Sequence, residues 1–108
     1  MVDNLLMWSD GSGQWPPIVG DKVVAHIKIQ NTGGQELTLN YIGVRGRRGG
    51  SEYWDIGWWT MTLQPGEDWE LNPNNERPLL VGSYSFRISY HDSFGWHEVG
   101  NEIIFTVD

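Results

Sequence analysis

The sequence contains no cysteine, which removes disulfides, thiolate nucleophiles and Cys-ligated zinc together. It is also short of positive charge: seven Lys plus Arg face fourteen Asp plus Glu, a formal net charge of −7. An acidic surface of that size repels phosphates and argues against nucleic-acid binding. Apolar runs are brief, far below the ~20 residues of a spanning helix, so no membrane span is expected. Helical periodicity is missing too. Met1-Val2-Asp3-Asn4 lacks the basic and apolar regions of a secretory leader, so no signal peptide is expected within this chain.

The sequence does hold 14 Gly, 5 Pro and seven Trp in 108 residues. That is too rich in turn formers for a helical bundle and too aromatic for a disordered chain. The length accommodates one domain, residues 1–108. Alternation organises it. Val23, Ala25, Ile27 and Ile29 form one face of a strand that ends at Asn31-Thr32-Gly33-Gly34. Leu37, Leu39 and Tyr41 alternate next, then Ile42 and Val44 take over, a change of phase that predicts a bulge near Tyr41. Gly46 to Ser51 reads as a loop. Trp54, Ile56 and Trp58 then oppose Asp55, Gly57 and Trp59, and Gln64-Pro65-Gly66-Glu67 marks a tight turn. Trp69 and Leu71 form a short strand. Tyr84, Phe86, Ile88 and Tyr90 alternate cleanly, and Ile103, Phe105 and Val107 close the chain. About seven short strands at such spacing predict an all-β, antiparallel β-sandwich. Tyr84, two residues before the inward Phe86, fits a tyrosine corner.

Several of these segments resemble immunoglobulin-like accessory domains of secreted bacterial proteins. They are Val19-Gly20-Asp21, Asn31-Thr32-Gly33-Gly34, Leu63-Gln64-Pro65-Gly66, Val81-Gly82-Ser83-Tyr84-Ser85-Phe86 and the closing strand Ile103 to Val107. The resemblance covers most of the chain from Ile18 onward. A weaker likeness is to the four-tryptophan FW domain of autophagy receptors, a Trp-rich sandwich of similar size. The resemblance implies an immunoglobulin-like sandwich that binds glycan, binds protein or spaces other modules. It implies no catalytic residue.

The tryptophans are the candidate site. Trp69 reads as a core ring, and Trp8 and Trp15, beside Pro16 and Pro17, as cover for a sheet edge. About two-thirds of the rings are expected to be structural. Alternation sends Trp54 and Trp58 to one face and Trp59 to the other, so at least one must face outward; Trp96 and His97 come just after the turn at Gly95. An indole on a rigid sheet suits the apolar face of a pyranose, with hydroxyls reaching polar neighbours. The expected ligand-binding residues are therefore Trp54, Trp58, Trp59 and Trp96, with Asp55, Arg47 and His97 in the polar role. Glu52 and Arg48 are further polar candidates.

Other motifs carry less. Arg45, Arg47 and Arg48 among glycines could bind single-stranded nucleic acid, but residues 45–53 carry only +2 and leave −9 elsewhere. The expectation is solvated arginines, with a local fork able to meet a carboxylate. Asp10-Gly11-Ser12-Gly13 resembles part of a calcium loop without its spaced carboxylates. Asp92, Ser93 and His97 supply triad residue types without a nucleophile elbow. Glu67 and Asp68, being adjacent, point to opposite sides of a strand and cannot form a glycosidase pair. No enzyme activity, metal or cofactor is expected. The chain reads as a non-catalytic accessory module of an exported bacterial protein, located outside the cell or on its surface as part of a larger protein. It is expected to be monomeric as an isolated domain and to bind polysaccharide. The alternative is a spacer or protein-interaction domain whose tryptophans mainly build the core.

Overall fold

The structure is a computed structural model that describes residues 2–72 and 77–108, the side chains of Val2, Glu52, Tyr53 and Trp54 excepted. Among the described residues there are seven strands and no helix: β1 (Val2–Asp10), β2 (Lys22–Gln30), β3 (Leu37–Arg48), β4 (Ser51–Leu63), β5 (Asp68–Leu71), β6 (Gly82–Asp92) and β7 (Gly95–Val107). They form a three-stranded sheet, β1-β2-β5, and a four-stranded sheet, β4-β3-β6-β7, with every pairing antiparallel. The result is the expected antiparallel β-sandwich of seven strands.

The alternation in the sequence is the cause of the layering. Val23, Ala25, Ile27 and Ile29 of β2 are wholly buried and face Leu39, Ile42, Val44, Ile56, Phe86 and Ile88 of the other sheet in one core. Tyr84, Phe86 and Phe105 stack nearly parallel, with centroids 5.5–6.3 Å apart, and Trp15 meets Phe105 edge-on at 5.1 Å. Trp15 is thus a lid on the core.

The motifs behind the family resemblance hold the sandwich at its corners. Tyr84 forms the predicted corner: its hydroxyl accepts from the Leu80 N–H at 2.9 Å and donates to the Leu80 carbonyl at 3.1 Å. Asn31 donates to the carbonyls of Gln35 and Leu63 and accepts from the Gly33 N–H. Asp21 accepts from the N–H groups of Ser12 and Ile18 and from the Ser12 hydroxyl. The segment likened to a calcium loop is therefore organised by a carboxylate from its own chain.

Three elements differ from the sequence reading. Residues 2–10 form a full edge strand paired with β2. β7 begins at Gly95, well before Ile103. The Gly46–Ser51 loop shrinks to Gly49-Gly50, because both glycines take positive φ (61° and 82°) and complete a two-residue hairpin with Arg48 opposite Ser51.

Candidate functional site

Two local distortions build the site. On β3 the register jumps between Leu39 and Ile42, as the phase change predicted, and Tyr41 lies at φ 55° with its side chain 56% exposed. On β4, Trp59 pairs with Ile42 and Ile56 with Val44, so Gly57 and Trp58 together face Gly43. Gly57 permits this bulge with φ 65°, and a side chain on Gly43 would begin 1.9 Å from the Gly57 carbonyl oxygen.

The bulge separates Ile56 from Trp58, while Trp58 and Trp59 lie on opposite faces as expected. Ile56 and Trp59 both turn inward, and Trp59 packs on the core with its ring edge-on to Trp69, 6.3 Å away. Trp58 turns outward. Trp59 is therefore removed from the binding set. Trp54 pairs through its backbone with Gly46, and its side chain lies outside the described residues.

On the outer face of the four-stranded sheet Trp58 meets Trp96, with centroids 5.3 Å apart and planes at 64°. They come from β4 and β7, the two outermost strands, separated by three strand intervals of about 4.8 Å. The indoles reach each other across the central strands, where Gly43 pairs with Ser89 and neither residue obstructs them. Tyr41 adds a third ring 6.5 Å from Trp96 at 32°, and His91 lies edge-on to Trp96 at 5.2 Å. Tyr41, Trp58 and Trp96 line a shallow, mainly apolar cavity of about 230 Å³. Trp96 remains 49% exposed.

Arg45 places its guanidinium 5.0 Å from the centre of the Trp96 ring, a cation–π contact, and forms an ion pair with Asp55 at 3.8 Å. Asp55 thus reaches the site through Arg45. Arg47 is held farther along the same sheet by Glu98 at 2.5 Å, and Arg48 donates to the Val81 carbonyl. The three arginines read as solvated each have a partner within the fold.

His97 leaves the expected set because neighbours on a strand face opposite ways. It stacks on Tyr90, which packs on the core, and its Nε2 lies 2.9 Å from Asp92 Oδ1. Burial would raise the Asp92 carboxyl, but hydrogen bonds from His97 and the Phe94 N–H, with the nearby charge of His97 and His91, outweigh it and hold the group below the usual carboxylate range. The sequence reading missed Tyr41 and His91 and grouped Arg45 with the solvated arginines. The change of phase at Tyr41, and the outward position of His91 after inward Tyr90, were the available signals.

No family model matches the chain, and no curated protein matches it in sequence. Among solved structures it is similar to a Bordetella pertussis protein assigned as ApaA, with 18% identity and a TM-score of 0.66 over 98% of this chain and 92% of that one. It is also similar to a protein from Archaeoglobus fulgidus, with 10% identity and a TM-score of 0.51 over 97% and 96% of the two chains. These likenesses establish the fold alone.

Proposed function

We propose that this domain is a non-catalytic binding module of an exported bacterial protein, and that it holds polysaccharide by stacking a sugar ring against Trp58 and Trp96, with Tyr41 as the third wall. One observation carries the reading: aromatic rings from three strands converge on an apolar cavity on a sheet face, while Trp59 and Trp69 pack against the core. Apolar walls with a few placed polar groups are the usual form of a small-ligand site. The Arg45–Asp55 pair and His91 supply the polar groups here.

Native gels cast with soluble glycans test the reading. Retardation of the protein should weaken about tenfold in Trp58→Ala and in Trp96→Ala, the loss of an aromatic anchor. Unchanged retardation in both variants rejects the site, as does a protein that no glycan retards.

A second reading rests on Phe94, 89% exposed at the tip of the β6–β7 hairpin. In a spacer or protein-interaction domain that tip would meet a neighbouring domain. Phe94→Ser would then weaken the contact while the indole variants left it intact.

A further inference from the structure

We infer that the cradle selects one pyranose ring of a neutral, soluble glycan over anionic polysaccharides and over crystalline surfaces; this rests on the binding reading above and narrows it. Three observations lead there.

The first is shape. A crystalline face presents a plane, and a protein that grips it needs aromatic rings lying in one plane. Trp58 and Trp96 stand at 64° and Tyr41 is tilted 32° from Trp96, so the three rings offer no common plane to a flat surface. Arg45 lies 5.0 Å from the centre of the Trp96 ring, and Trp96 stays 49% exposed for contact with a ligand.

The second is size. About 230 Å³ falls below the ~300–1,000 Å³ of pockets that engulf drug-sized ligands. There is room for a single ring, with the rest of a chain running out over the sheet.

The third is charge. Arg45, the arginine at the cradle, already faces Asp55, and Arg47 farther along the sheet faces Glu98. A uronic-acid carboxylate entering the cradle would meet an Arg45 charge already shared with Asp55 and would approach a protein of net charge −7. A neutral sugar meets neither obstacle.

The test uses the full chain in affinity gels containing xyloglucan, hydroxyethylcellulose or galactomannan, beside gels containing polygalacturonate or alginate, with depletion assays on microcrystalline cellulose and chitin. Retardation by at least one neutral glycan is expected, weakened about tenfold by Trp58→Ala and Trp96→Ala, with no retention on the anionic or crystalline probes. Tyr41→Ala, at an exposed position, keeps the test decisive if an indole variant fails to fold. Ring-dependent retention on polygalacturonate, alginate, cellulose or chitin overturns the selectivity and leaves the binding reading standing. Retention on no probe, or retention indifferent to all three substitutions, overturns both.

Discussion

The side-chain amide of Asn101 is bonded at both ends to Leu5: its Nδ2 donates to the Leu5 carbonyl at 2.9 Å, and its Oδ1 accepts from the Leu5 N–H at 3.2 Å. Leu5 lies on β1, an edge of the smaller sheet, and Asn101 on β7, an edge of the larger one. Asn101 sits where the β6–β7 register jumps, between Val99 opposite Ile88 and Ile103 opposite Phe86. One amide thus imitates a strand partner and ties the two sheets along one side.

Asn101→Ala should lower stability by about 1–3 kcal/mol, two hydrogen bonds at ~0.5–1.5 kcal/mol each. Urea titration reads this as a lower midpoint at unchanged slope. The freed β1 edge should also raise self-association, seen by sedimentation. An unchanged midpoint would show that water replaces the amide fully.

Gly57→Ala places a side-chain carbon 1.9 Å from Cη2 of Trp59 at a φ of 65°. The left-handed backbone alone costs ~1–2 kcal/mol, and moving the indole adds ~1–3 kcal/mol. A loss of about 3 kcal/mol, with an altered near-ultraviolet tryptophan signal and weakened glycan retention, is expected. A loss below ~1 kcal/mol would show that the bulge tolerates a side chain.

Trp59→Ala should separate packing from recognition. Its ring packs on the core but is only partly buried, so about 2–3 kcal/mol of stability should be lost, below the ~3–5 kcal/mol of fully buried aromatics. Glycan retention should match that of the parent under conditions where both are folded. A selective loss of retention would return Trp59 to the site.

Asp21 predicts acid sensitivity. The Ser12 hydroxyl lowers its pKa, which outweighs the raising effect of burial, and the N–H groups of Ser12 and Ile18 lower it further. The native group therefore ionises below the unfolded one, whose value is near 3.9. Its stabilisation is present above that value and is lost as pH falls through the lower native pKa. Thermal melts from pH 7 to pH 2.5 should show a shallower acid decline in Asp21→Asn, from a lower starting point. Parallel curves would refute this role.

Strands β2 to β6, the core face and the tyrosine corner were legible in the main because each rests on neighbours in sequence, whereas β1 and the first half of β7 were not. Val23 to Ile29 alternate, and Tyr84 precedes Phe86 by two residues on an inward face. The bulge at Tyr41 announced itself as a change of phase. The bulge at Gly57 did not, because tryptophans on both sides of it leave the apolar pattern unbroken.

The amino-acid sequence by itself determined an all-β chain with one core and more indole surface than that core hides. Both properties come from composition and period, which every short segment carries. Only the tertiary structure decided which rings share a face. A single extra residue in β4 reverses the facing of the side chains beyond it, and the pairing of Trp58 with Trp96 depends on a strand order in which two small residues separate distant edges. Side-chain direction is local, but adjacency between strands is set by the packing of the whole sandwich.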